Sequence, residues 1–285
     1  MEKKKDIFED LYIFEMANSH QGSVEHGLDI IHEMGKIARK YNVKAAVKLQ
    51  YRNLDTFIHP DYKGRKDVPH IPRFESTRLT YDQFTQLVDG IREEGMVAMS
   101  TPFDEDGIGW CMDQGIDIIK IASCSALDWP LIQKAVSTGK PLIVSTGGKT
   151  LSDIDKLYNY LTHRHVHFAF LHCVAEYPAP EEHLQLDFID KMKKRYPDVM
   201  IGYSGHEAPD DVTVAMMAVA KGAAILERHV GLPTDTITLN AYSMNPAQAD
   251  SWVLAAERAK NMCALKKENN KYIAQAEIDS LNSLM

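Results

Sequence analysis

The chain has 285 residues, 45% hydrophobic, 25% charged and 8% aromatic, with a formal net charge of −8, enough apolar material for a substantial buried core. The acidic balance, with no basic run beyond Lys3-Lys4-Lys5 and the Lys191, Lys193, Lys194, Arg195 cluster, argues against a nucleic-acid-binding surface. No stretch approaches eighteen apolar residues, and the N-terminal Glu2-Lys3-Lys4-Lys5-Asp6 lacks the apolar centre of a signal peptide, so no membrane partner and a cytoplasmic location are expected. Cys111, Cys124, Cys173 and Cys263 are scattered, which indicates neither a disulfide framework nor a zinc knuckle.

In chain order, short apolar runs at 11–16, 44–50, 96–100, 116–122, 141–145, 167–172, 199–204 and 223–229 read as strands. Segments with helical spacing lie between and after them at roughly 23–40, 81–94, 105–114, 128–138, 150–162, 183–195, 209–221 and 247–267. Gly115, Gly139 and Gly222 stand where helices close in the left-handed conformation, and Asp210 or Asp211 is expected to cap the 209–221 helix. An open doubly wound sheet has the same local pattern, but the count of eight alternations selects a (β/α)8 TIM barrel. The barrel is assigned to residues 1–267 and a C-terminal extension or linker to 268–285. The connection over 51–80 is too long for a turn and is read as a lid or binding loop, or as a contact to another subunit.

Barrels of this kind build their sites from the C-terminal ends of the strands. Those ends carry Glu15, Lys48, Gln50, Ser100, Thr101, Lys120, Ser123, Ser145, His172, Tyr177, Ser204, His206, Glu227 and His229. A buried lysine is costly unless paired, so Lys48 and Lys120 predict an anionic ligand among the surrounding hydroxyls, the alternative being pairing with Glu15 or Glu227. Gly147-Gly-Lys149-Thr150 is not a P-loop, because Ile143 occupies the required first glycine position. His206 and His229 end consecutive strands, an arrangement that suits a divalent ion if Glu15, Glu207 or Glu227 joins them; hydrogen-bonded histidines are the competing reading. The run His163-Arg-His165-Val-His167 begins a strand, on the face of a barrel devoted to stability, and is read as structural.

A set of motifs carries a resemblance. Glu15 with Asn18-Ser-His-Gln-Gly22, Val47-Lys-Leu-Gln50, Ser100-Thr-Pro-Phe103, Ile119-Lys-Ile-Ala-Ser123, Ser145-Thr-Gly147, Leu171-His-Cys173 with Tyr177-Pro, Gly202-Tyr-Ser-Gly-His206 and Glu227-Arg-His229 follow one another through all eight strands. This order resembles the N-acetylneuraminate (sialic acid) synthase family, with its legionaminate and pseudaminate synthase relatives. The resemblance implies condensation of phosphoenolpyruvate with an aldose, such as an amino sugar, to a nonulosonic-type 2-keto-3-deoxy acid, with release of phosphate. It implies that Lys48, Thr101, Lys120, Ser123, Ser145 and Ser204 hold phosphoenolpyruvate, and that His206 and His229 bind Mn²⁺ or another divalent ion (Mg²⁺, Co²⁺ or Zn²⁺). Glu15 and Tyr177 are implied to face the sugar, Gln50 and Ser243 to bind substrate, and Glu15, Lys48, Lys120 and His206 to act in catalysis. A homodimer is also implied, in which a C-terminal antifreeze-like domain follows the extension.

The chain departs from the family's pattern at Ser125, where a carboxylate is usual, at Ala175, at Gly205 in place of an aspartate, and at Leu239 in place of another. Most of these lie on the acceptor side. Two competing readings follow. A metal-dependent barrel hydrolase would want His-x-His where the chain has Glu15-Met-Ala. A degenerate synthase-like domain would serve as a sugar-binding or scaffold part of a larger polysaccharide-biosynthesis protein.

Overall fold

Eight parallel strands close on themselves in sequence order. They are β1 (Leu11–Glu15), β2 (Lys44–Tyr51), β3 (Val97–Pro102), β4 (Ile118–Ile121), β5 (Leu142–Ser145), β6 (Phe168–Cys173), β7 (Met200–Gly205) and β8 (Ile225–His229). The computed structural model describes residues 6–68, 70–263 and 273–284. The (β/α)8 barrel expected from the alternation is the observed architecture, each strand lying within two residues of its predicted span.

Helices α1 (Val24–Tyr41), α4 (Tyr81–Glu93), α5 (Glu105–Asp113), α6 (Trp129–Ser137), α7 (Leu151–His163), α8 (Asp187–Arg195), α9 (Thr213–Ala220) and α10 (Pro246–Cys263) follow the strands, with α2 (Leu54–Phe57) and α3 (Ile71–Ser76) inside the long connection after β2 and α11 (Gln275–Ser283) last. Side chains start several of them. Ser23 accepts from the His26 amide, and Thr80 with Gln83 and Thr150 with Asp153 form capping boxes, each satisfying amides that a first turn leaves free. Gly115, Gly139 and Gly222 adopt positive φ, as read from the sequence. Two boundaries differ. The expected 183–195 helix is a 3₁₀ turn over Glu181–His183 followed by α8, and α9 begins at Thr213 after Val212, whose side chain makes no cap. Asp211 instead accepts from the Thr213 amide at 2.9 Å. Residues 264–267 of the last predicted helix lie outside the described residues.

Alternation along each strand divides the core in two. Tyr12, Phe14, Val47, Leu49, Ala98, Ile119, Val144, Phe170, Ile201 and Leu226 face the helices, whereas Leu11, Ile13, Ala46, Met99, Ile118, Ile143, Ala169 and Ile225 fill the barrel. Two residues further along the same inward rows, the side chains change character to Glu15, Lys48, Thr101, Lys120, Ser145, Ser204 and Glu227. The barrel therefore has an apolar floor and a polar mouth, and register sets them at matched heights: Glu15 lies beside Lys48 and His229, Gln50 beside Thr101, and Ser204 beside Glu227.

Gly202 sits in an inward row where a Cβ would stand 2.5 Å from the Ile225 carbonyl oxygen and 2.5 Å from Leu171 Cδ2. Backbone cannot yield there, so Gly202→Ala is expected to cost about 1–3 kcal/mol through overpacking. Thermal melts should fall by roughly 3–10 °C.

Candidate active site at the C-terminal mouth of the barrel

The strand ends and the connections that follow them enclose a cavity of about 820 Å³, a size that accommodates small-molecule substrates. At its base Glu227 joins three strands. Its Oε1 and Oε2 lie 2.9 and 3.1 Å from Lys120 Nζ, its Oε2 lies 2.8 Å from Lys48 Nζ, and Ser204 Oγ donates to Oε1 at 2.8 Å. Lys48 also meets Glu15 Oε2 at 2.5 Å, while Glu15 Oε1 accepts from the Ala17 amide at 2.8 Å and from Gln50 Nε2 at 3.3 Å. All four charged groups are buried. Burial pushes the Glu227 carboxyl up, but the ammonium groups of Lys120 and Lys48 outweigh it and hold Glu227 well below the usual carboxylate range. Burial pulls Lys48 below its ordinary value against the attraction of Glu227.

The alternative weighed for the lysines is thus what the structure contains: both are paired by carboxylates of the same cavity. Burial alone therefore does not require an anion. The stronger signal is in the hydroxyls. Thr101 Oγ1 and Ser145 Oγ are buried, face the cavity and have no hydrogen-bond partner, a costly state in a dry interior that a polar ligand would relieve. Ser123 Oγ accepts from the Gly147 amide at 2.9 Å and fixes the turn after β5.

Of the predicted site residues, Glu15, Lys48, Gln50, Thr101, Lys120, Ser123, Ser145, Tyr177, Ser204, His206 and His229 all line this one cavity. Ser243 does not. It is buried with an unpartnered hydroxyl, and its neighbour Tyr242 is the residue that reaches the cavity. Ser100 and His172, also read as strand-end polar groups, point outward: Ser100 Oγ donates to the Leu49 carbonyl and His172 Nε2 lies 2.7 Å from the Leu184 carbonyl. Both occupy the outward phase of their strands, where a strand end alone does not bring a side chain to the mouth.

His206 and His229 stand with ring centroids 5.4 Å apart, framed by Tyr177 at 4.2 Å from His206 and Tyr242 at 5.0 Å from His229. His206 Nδ1 donates to the Val174 carbonyl at 2.9 Å, which fixes the tautomer and leaves the Nε2 lone pair free. Burial pulls His206 down to about 4 and, with His206 alongside, holds His229 well below the ordinary imidazole value, so both rings are neutral, the form that binds metal. The expected third ligand is not supplied by protein. Glu207 turns outward to Arg228 Nη1 and accepts from Tyr203 OH at 3.0 Å, and Glu15 and Glu227 are committed to lysines. No group of three or more His, Cys, Asp or Glu suited to a metal occurs among the described residues. The donor set thus fits an ion with two imidazole ligands whose other positions are filled by substrate or water. The Glu207 carboxylate also explains Gly205, where a Cβ would stand 2.3 Å from its Oε2. His163, His165 and His167 do not converge: His163 meets the Asn159 carbonyl, His165 adopts positive φ, and His167 binds Asp6.

The sequence profile of the NeuB family matches residues 36–268. The chain belongs to the NeuB family. It is 45% identical to a protein of Chromobacterium violaceum described as spore coat polysaccharide biosynthesis protein E, whose crystal structure superposes with a TM-score of 0.92 over 97% of this chain and 82% of that one. The N-acetylneuraminic acid synthetase of Leptospira borgpetersenii, solved with citrate, is 26% identical with a TM-score of 0.81 over 96% and 91% of the two chains. N-acetylneuraminate-9-phosphate synthase of Drosophila melanogaster is 30% identical over 79% of this NeuB-family chain. The chain spans 61% of the length of that relative and of its human and mouse counterparts.

Removing the shared carboxylate leaves one ammonium unmatched. Glu227→Gln is expected to destabilise the fold by about 3 kcal/mol, the scale for stripping one partner from a buried ion pair. Adding Lys120→Met, which deletes the unmatched charge, should recover part of that loss in urea denaturation.

Proposed function

We propose that this NeuB-family chain condenses phosphoenolpyruvate with the aldehyde of an aldose, forming a 2-keto-3-deoxy acid of the nonulosonic type and releasing phosphate. The observation that carries this reading is the pairing of two buried ammonium groups with two unpartnered hydroxyls, Thr101 Oγ1 and Ser145 Oγ, in one cavity of the barrel mouth. Relatives described as N-acetylneuraminate-9-phosphate, legionaminic acid and pseudaminic acid synthases support it. We read residues 1–267 as the catalytic unit and the following segment as a linker.

In this reading the phosphate and carboxylate of phosphoenolpyruvate lie against Lys48 and Lys120 alongside Glu227 and take hydrogen bonds from Thr101, Ser145 and Ser204. Glu227, held between the lysines, keeps both ammonium groups in place and tempers their attraction, so that phosphate leaves after reaction. C3 of the enol attacks the aldehyde carbon, the carbonyl π pair passes to the aldehyde oxygen, which takes a proton from water, and positive charge develops at C2, which the carboxylate of Glu15 stabilises. Water adds at C2 and gives up a proton, for which Glu15, fixed by the Ala17 amide and Gln50, is the acceptor. The C2–O bond to phosphate then breaks as the C2 hydroxyl passes its proton to the departing phosphate, leaving the 2-keto group. A divalent ion held by His206 and His229, Mn²⁺ being the proposed species, would polarise the aldehyde oxygen. Tyr177 and Tyr242 flank that position with their rings against the two imidazoles.

Phosphate release from phosphoenolpyruvate across a panel of aldoses tests the reading, and absence of release with every aldose in the presence of Mn²⁺ overturns it. Chelation is expected to abolish release and Mn²⁺ to restore it, while His206→Ala or His229→Ala should lower kcat at least about a hundredfold. Thr101→Val and Ser145→Ala should each raise KM for phosphoenolpyruvate about tenfold, the scale of one hydrogen bond to a charged group.

A further inference from the structure

The outer half of the cavity carries charge that the chemistry above does not use. Among the lining residues, Lys48 and Lys120 are balanced by Glu15 and Glu227, whereas Arg52, Arg73 and Lys149 have no acidic counterpart. No ion pair joins any of these three to a carboxylate among the described residues. Arg52 is the anchored member. Its guanidinium lies 3.8 Å from the Phe103 ring centroid and 4.4 Å from that of Phe74, so both flat faces are covered and hydrogen bonds can leave only along its edge. One of those goes from Nη2 to Gln50 Oε1 at 2.9 Å, and the buried Nε has no partner. The nearby Asp104 is occupied by the Asn53 and Gly107 amides at 2.7 and 2.6 Å. Burial pulls Arg52 down to about 10, which leaves it a cation at neutral pH.

Gln50 connects this cation to the inner site. Its Oε1 accepts from Arg52 while its Nε2 donates to Glu15, so a molecule lying along the wall from Glu15 outward meets Arg52 next. Phosphoenolpyruvate is assigned to the inner lysines and hydroxyls, and the outer cations therefore face the second substrate. An aromatic-clamped guanidinium with an open edge is suited to an oxyanion and wasteful for a neutral hydroxyl.

We propose that Arg52, with Arg73 close enough to act on its charge, forms an anion subsite that receives a carboxylate or phosphate borne by the aldose acceptor at the end remote from its aldehyde. This rests on the synthase reading for the identity of the acceptor, but binding to the subsite is measurable without turnover.

The test uses matched alditols, neutral, 6-phosphorylated and oxidised to the 6-carboxylate, which cannot condense because they lack the aldehyde. Calorimetry of the intact chain saturated with phosphoenolpyruvate and Mn²⁺ should give at least roughly tenfold tighter binding of one or both anionic forms than of the neutral one. The 6-phosphate and 6-carboxylate arms distinguish the two sources of charge. Arg52→Met, which keeps an apolar body between Phe74 and Phe103, should remove that preference; should it fail to fold, Arg73→Gln at an exposed position should narrow the preference instead. Equal binding of all three alditols overturns the subsite, as does a preference retained in Arg52→Met or a loss confined to phosphoenolpyruvate affinity. Selective anion binding without turnover of any aldose would uphold the subsite and defeat the synthase reading. Turnover of neutral aldoses with no anion preference would do the reverse.

Discussion

The Glu227 carboxylate, shared between two buried ammonium groups, is the interaction on which the mouth of this barrel depends. Lys48 and Lys120 come from β2 and β4, and Glu227 from β8, so only closure of the sheet brings them to one point. Without the carboxylate, Lys48 would keep only Glu15 as a counter-charge and Lys120 would have none; without the lysines, the carboxylate would be protonated by its own burial. The pairing leaves both cations intact and oriented while their neighbours Thr101 and Ser145 stay unpartnered. The site thus holds fixed charges beside unmet hydrogen bonds, an arrangement that a polar ligand would complete.

The same alternation of side chains separates chemistry from support. On β8, Glu227 and His229 face the cavity while Arg228 between them faces the helices and meets Glu207. That outer pair, with Tyr203, occupies the room beside Gly205. Glu207 thus braces β7 against β8 from behind, and the histidines that end these strands are positioned by a charge pair that never reaches the substrate.

The long connection after β2 provides the outer wall. A small apolar cluster of Leu54, Ile58 and Ile71 holds it together, and Phe57, His70, Arg73 and Phe74 extend from it over the cavity. Of its two expected roles, that of a binding loop agrees with this placement. The inner cavity is built from strand ends, while the wall is built from short helices and aromatic contacts. Such a wall can vary without disturbing the barrel, because loops change more freely than the strands that carry them.

Much of this was legible in the residues. Eight short apolar runs separated by segments of helical spacing specify a parallel barrel because strands buried on both faces are apolar throughout, and the polar residues closing the runs mark its mouth. Glu15, Lys48, Lys120, Thr101, Ser145, Ser204, His206 and His229 could be read in that way because each sits in the inward phase or just past a strand end. Partnership was not legible. That Glu227 serves both lysines, that Glu207 turns away, that Ser243 stays out while Tyr242 enters, and that Arg52 is clamped between Phe74 and Phe103 all depend on residues 20 to 180 positions apart meeting across the barrel or its loop. Local sequence fixes which way a side chain leaves its strand, but only closure of the barrel decides what it meets.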